Sequence, residues 1–92
     1  MITSGQMRAA RALLGIDQRE LAQRSGLSVP TIQRMEASEG VVRGNVDSLM
    51  KLVDALSANG IELIGEGATS SAGGRGVRLI NVGTTPAKRR GQ

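Results

Sequence analysis

Apolar residues recur at helical spacing through the first sixty positions of the chain and then switch to alternation. Met7, Ala10, Arg11 and Leu14 fall at i, i+3, i+4 and i+7, which predicts an amphipathic helix over residues 4 to 14. Ser4 is its expected N-cap and Gly15 its left-handed stop. Asp17 opens a second helix, and Glu20, three residues on, completes the pattern of a capping box. The inward face of this helix is Leu21, Ala22 and Ser25. Gly26 ends it, Leu27 plugs the turn, and Ser28 caps a third helix that runs to about Ala37. Residues 38 to 44 read as a loop. Gly44 or Asn45 then starts a fourth helix, in which Val46, Leu49, Met50, Val53 and Leu56 repeat at helical spacing until Asn59 and Gly60 close it.

Beyond Gly60 the segments "GIELI" and "GVRLI" alternate, separated by the Gly-, Ser- and Thr-rich stretch "GEGATSSAGGRG". An antiparallel register that pairs Ile61 with Leu79 and Leu63 with Val77 also sets Glu62 opposite Arg78. One alignment thus satisfies two apolar pairs and one pair of opposite charges. The expectation is a hairpin with a long mobile loop, then a disordered basic tail, because "TTPAKRRGQ" has no apolar period. The chain divides into a helical domain, 1–60, a hairpin, 61–80, and a tail, 81–92. The expected fold class is mainly α, with four to five helices and an appended C-terminal β-hairpin.

Ninety-two residues suffice for one core of modest size. Cysteine and histidine are both missing, which removes disulfides, thiolate nucleophiles, imidazole bases and the usual zinc ligand sets. No metal, cofactor or enzyme activity is therefore expected. No apolar run approaches the roughly 18 residues of a membrane helix, and no leader pattern opens the chain, so a cytoplasmic location is expected. Twelve basic residues face eight acidic ones, and ten of the twelve are Arg, whose planar fork suits phosphate and guanine. The excess is uneven: residues 1 to 60 carry seven basic and six acidic groups, so net charge argues little for nucleic acid there. Aromatic residues are wholly missing, which counts against single-strand readers that stack bases on rings and leaves a duplex as the nucleic-acid partner.

From residue 18 to 37 the pattern is helix, three-residue turn with glycine, helix. Leu21, Leu27, Ile32 and Met35 face a common core, Ala22 is small where two helices cross, and Gly26 supplies a positive φ. The stretch "RALLGIDQRELAQRSGLSVPTIQRMEAS" resembles the helix-turn-helix of the xenobiotic-response-element family of regulators, the group that includes Cro and the lambdoid phage repressors. Arg11, Leu14, Gly15, Gln18, Glu20, Leu21, Ala22, Ser25, Gly26, Ser28, Thr31, Ile32 and Glu36 carry the resemblance, which extends over residues 7 to about 58. The segment "GIEL…GVRL" is similar to a hairpin appended to many small alphaproteobacterial regulators of this family.

The resemblance implies a lambda-repressor-like DNA-binding domain whose helix at about 28–37 lies in the major groove. Carried over position by position, Val29, Thr31, Gln33 and Arg34 become the candidate readers. Gln33 suits adenine, Arg34 a guanine or a phosphate, and Val29 a thymine methyl. Gln18 and Ser28 match phosphate-contacting positions, and Arg43, in the following loop, is a further phosphate candidate. Arg11 and Glu36 match a structural ion pair between the first and third helices. Pro30 departs from the family pattern. Its ring disfavours the α region for Val29, so the helix is expected to begin one residue late.

Met7, Met35 and Met50 read as core filler. The glycine-rich stretch lacks the Lys-Ser/Thr of a phosphate loop and reads as linker. Lys88, Arg89 and Arg90 suit DNA phosphates and solvent equally. The leading functional expectation is a sequence-specific regulator of transcription that binds duplex DNA as a homodimer. Two strands alone are marginal and an exposed apolar edge invites pairing. The hairpin is therefore expected to pack on the helices and to form the dimer contact through Ile61, Leu63, Val77 and Leu79. The alternative is a protein-interaction module, an antitoxin or antiactivator that holds a partner protein with the helical domain, in keeping with its near-neutral charge.

Overall fold

The first helix, α1, spans Ser4–Leu14 and is capped by Thr3 rather than Ser4. Thr3 Oγ1 accepts from the Gln6 N–H at 3.1 Å and Gln6 Oε1 accepts from the Thr3 N–H at 2.9 Å, a reciprocal capping box. Ser4 is removed from that role because it is buried and its N–H is donated to the Gly40 carbonyl. Beside it the Ile2 carbonyl accepts from the Val42 N–H, and Thr3 bridges Val41. The stretch expected as a plain loop is thus tied to the chain's N-terminal segment, with Ile2 and Val42 both buried.

This computed structural model describes residues 2–65 and 73–80; residues 66–72 of the expected mobile loop, 65–76, and the expected tail, 81–92, lie outside the described residues. After α1 come α2, Gln18–Ser25, α3, Val29–Glu36, and α4, Val46–Ala58, then the strands β1, Ile61–Ile64, and β2, Gly76–Leu79. Gly15 and Gly26 end α1 and α2 at φ 69° and 76°. A Cβ on Gly26 would meet nothing within 4 Å, so the left-handed backbone alone asks for glycine there. Asp17 caps α2 by accepting from the Glu20 N–H, but the return half of the expected box is replaced: the Glu20 carboxylate pairs with Arg24.

Ile2, Met7, Leu21, Ile32, Met35, Leu52 and Leu56 form the centre of one core shared by all four helices. In α4 the buried face is Leu52, Ala55 and Leu56. Val46 is 76% exposed and Met50 55%, so these two drop out of the expected α4 stripe and Met50 is not core filler, while Leu49 and Val53 pack at the edge of the core and Leu56 lies inside it. The physical cause is that α4 carries apolar residues over more than one face, and contact with α2 and β1 selects which face is buried.

The hairpin has the expected register, Ile61 with Leu79, Glu62 with Arg78 and Leu63 with Val77. It packs on α1 and α4. Ile61 is buried in the common core, and Leu63 and Val77 pack against it. Gln6 closes the joint: its Nε2 donates to the carbonyls of Ile64 at 3.1 Å and Gly76 at 2.8 Å, one on each strand. Gln6→Glu keeps the acceptor of the capping box but removes both donated bonds and sets a carboxylate against two carbonyls. It should destabilise the fold by about 1–3 kcal/mol in urea melts, with the hairpin amides exchanging fastest, whereas α1 stays protected.

Candidate nucleic-acid interface

Ser28 caps α3, its Oγ accepting from the Thr31 N–H at 3.2 Å, and its carbonyl accepts from the Ile32 N–H at 3.0 Å. The helix therefore starts at Val29, and the delay expected from Pro30 is corrected. Pro30 sits in the first turn, where a missing N–H costs little, and the Ser28 cap holds Val29 helical against the proline's preference.

One face of α3, Ile32, Met35 and Glu36, is buried, and the opposite face, Pro30, Gln33, Arg34 and Ala37, is exposed at i, i+3, i+4 and i+7. Gln33 and Arg34 thus stand at the centre of the outward surface. Thr31 lies at its edge, half-buried, in a hydrogen-bonded row: Ser28 Oγ to Thr31 Oγ1 at 2.8 Å, and Arg34 donating to Thr31 Oγ1 at 3.4 Å. Val29 is half-buried against the core. The outward apolar position is taken by Pro30 instead. Pro30 and Ala37 were missed as surface groups, although helical spacing counted in both directions from Gln33 and Arg34 reaches each of them.

What fixes α3 is the carboxylate of Glu36. Arg11 grips it with two parallel bonds, Nε to Oε2 at 2.5 Å and Nη2 to Oε1 at 2.9 Å, and Gln18 Nε2 donates to Oε1 at 3.2 Å. Arg8, unmarked by the sequence pattern, donates to the Glu36 backbone carbonyl at 2.7 Å. Gln18, expected at a phosphate, therefore has its amide turned toward this brace. Burial opposes the ionisation of Glu36, but the hydrogen bonds from Arg11 and Gln18 and the charges of Arg11 and Arg8 outweigh it, so its pKa lies below the ordinary value. The hydrogen bond to Glu36 raises Arg11, against a smaller effect of burial.

At the C-terminal end of α3, Arg34 and Arg43 line one open concavity of about 630 Å³ with Ala37, Ser38, Glu39 and Gly44. The Arg43 N–H donates to Ser38 Oγ at 3.1 Å, which holds the loop against the helix end. Among the described residues neither Arg34 nor Arg43 has a carboxylate partner, whereas Arg11, Arg24 and Lys51 each have one. The near-neutral helical segment thus leaves unpaired guanidinium groups on the exposed side of α3. The described residues hold no group of acidic side chains arranged for a metal ion. None of the described helices is long and apolar enough to cross a membrane.

Because the folded-state pKa of Glu36 is lowered, the brace stabilises the fold above the ordinary carboxylate range and loses that contribution as pH falls through the folded value. Urea midpoints should drop on acidification through that window, and Glu36→Gln should be less stable at neutral pH but show a flatter profile. Glu36→Ala should cost about 3 kcal/mol, the low end for a buried pair, because the Arg11 side chain left behind is 22% exposed.

A helix-turn-helix family model matches residues 7–57, more than half of the chain, from the middle of α1 into the last turn of α4. No curated protein and no solved structure gives a significant match. The family binds DNA and is not enzymatic. The chain belongs to the helix-turn-helix family of DNA-binding regulators, in its xenobiotic-response-element branch.

Proposed function

We propose that the protein is a sequence-specific regulator of transcription that works in the cytoplasm as a homodimer on paired half-sites of duplex DNA, with α3 in the major groove. The observation that carries this reading is the division of α3 into a clamped inner face, held through Glu36, and an outer face that presents Gln33 and Arg34. A reading helix must be rigid where it meets its scaffold and free where it meets bases.

Gln33 takes the adenine role through its amide, and Arg34 spans guanine or phosphate. Thr31 lies at the groove wall, and Pro30 takes over from Val29 the apolar contact with a thymine methyl. Ser28, at the start of α3, and Arg43, at the far rim, grip flanking phosphates, and Gln18 shares its amide between Glu36 and the backbone of the DNA. The dimer reads two half-sites about one helical turn, roughly 34 Å, apart.

Selection of genomic DNA fragments by the purified protein, followed by sequencing, tests the reading directly; recovery of no common sequence would end it. On the selected site, six to ten phosphate contacts should weaken binding roughly 10³- to 10⁵-fold between about 50 and 200 mM salt. Arg34→Ala should cost about 1–3 kcal/mol and relax preference at one base position of each half-site. A uniform loss on every sequence, with a shallower salt slope, would place Arg34 on a phosphate.

A further inference from the structure

Asn59 and Gly60 form the corner between α4 and β1, and they are the only Asn-Gly pair in the chain. Glycine is the neighbour that least hinders attack of a backbone nitrogen on the preceding asparagine amide, because it has no Cβ. The fold holds both reacting groups away from that step. The Asn59 amide is fixed at both ends: its Oδ1 accepts from Arg24 Nη1 of α2 at 2.6 Å, and its Nδ2 donates to the Ala55 carbonyl at 2.7 Å. The nucleophile is fixed as well. The Gly60 N–H donates to the Ser57 carbonyl at 3.0 Å, and the Gly60 carbonyl accepts from the Ile80 N–H, just past β2, at 2.6 Å.

Closing a five-membered imide needs the Gly60 nitrogen on the same side of the Asn59 Cα–C bond as Cβ. At the observed ψ of 14° it is turned toward the backbone nitrogen of Asn59 instead. Bringing the two groups together therefore swings the Gly60 peptide through a large rotation, which breaks its bonds to Ser57 and Ile80 and draws the Asn59 amide away from Arg24 and Ala55. The reaction waits on a local opening of the corner, and that opening undoes a backbone bond of the hairpin.

We propose that Asn59 is a self-modification site, gated by the Arg24 clamp and by closure of the hairpin, at which deamidation marks chains whose α4–β1 corner has opened. In the open corner the Gly60 nitrogen attacks Asn59 Cγ. The N–Cγ bond forms, the Cγ–Nδ2 bond breaks, and Nδ2 leaves as ammonia with the proton given up by the Gly60 nitrogen. Water then opens the imide: its oxygen joins one of the two carbonyl carbons and a proton returns to the Gly60 nitrogen. Attack at Cγ leaves aspartate, and attack at the backbone carbonyl leaves isoaspartate, whose main chain runs through the side chain and is one carbon longer. Neither product rebuilds the corner. Aspartate keeps an acceptor for Arg24 but sets an oxygen against the Ala55 carbonyl and a negative charge at the C-terminus of α4. Isoaspartate lengthens the link from α4 to Ile61, which is buried in the core, so the strand no longer closes in register. A transient opening thus becomes a permanent one.

The test is peptide mapping by mass spectrometry of the full chain aged at mildly alkaline pH, reading the exchange of NH for O at Asn59 and separating the aspartyl from the isoaspartyl peptide. Native wild type should convert at least about tenfold more slowly than the same chain in urea. Arg24→Met, which keeps the stem at an exposed position and removes the bond to Asn59, should convert at least about threefold faster than wild type, in keeping with the loss of one hydrogen bond. Glu20→Gln removes the ion pair of Arg24 but not the clamp, and should leave the rate unchanged. Without any variant, the rate in urea below the unfolding midpoint should rise together with hydrogen exchange of the Gly60 amide. Equal rates in native and unfolded wild type, conversion without Gly60 exchange, or a folded Arg24→Met chain that converts at the wild-type rate would overturn the gate. An unfolded chain that does not convert at Asn59 would overturn the site itself.

Discussion

The carboxylate of Glu36 is the point on which the reading helix is hung. Groups from two other helices converge on this one residue: Arg11 and Arg8 from α1, and Gln18 from the start of α2. A buried ion pair is a poor source of net stability, because both charges leave water. Its value here is geometric. Two parallel guanidinium bonds fix a plane as well as a distance, and a third bond from Gln18 prevents the carboxylate from rotating. The outer face of α3 inherits that orientation, since Gln33 and Arg34 lie within three residues of Glu36 on a helix of only two turns.

A second polar joint works on the same logic at the other end of α1. Gln6 uses its oxygen to cap its own helix and its nitrogen to hold both strands of the hairpin, so a single buried amide decides where α1 starts and where β1 and β2 rest. A two-stranded hairpin is marginal in water. This one is stabilised by what it packs on, and Ile61 shows the direction: it completes the helical core and is not left for a partner.

Local signals were legible in the sequence and long-range choices were not. The hairpin register could be read because only one alignment satisfied two apolar pairs and a charge pair together, and the helix ends because Gly15, Gly26, Asp17, Ser28 and Asn45 act on their own backbone neighbours. Ser4 and Thr3 are adjacent hydroxyls, and serine is if anything the better N-cap. What separates them is Gln6 three residues beyond Thr3, which the sequence did show, and the Gly40 carbonyl, which it could not. The start of α3 set two local rules against each other, the proline preference at Val29 and the cap at Ser28, and the cap won. On the outer face the same misplacement carried through: once Val29 is helical and turned inward, Pro30 moves to the exposed position.

The fourth helix shows why periodicity alone does not assign a buried face. Its residues fit one helical stripe through Val46, Leu49, Met50 and Val53 and another through Leu52, Ala55 and Leu56, and both satisfy the same spacing rule. Packing against α2 and β1 selects the second stripe, a choice made by residues far away in the chain. The first stripe then needs a reason of its own. Leu49 and Val53 have one, since they pack at the edge of the common core, whereas Val46 and Met50 stay largely in water. Spacing thus offers α4 more than one apolar face, and the core fixes which of them is buried.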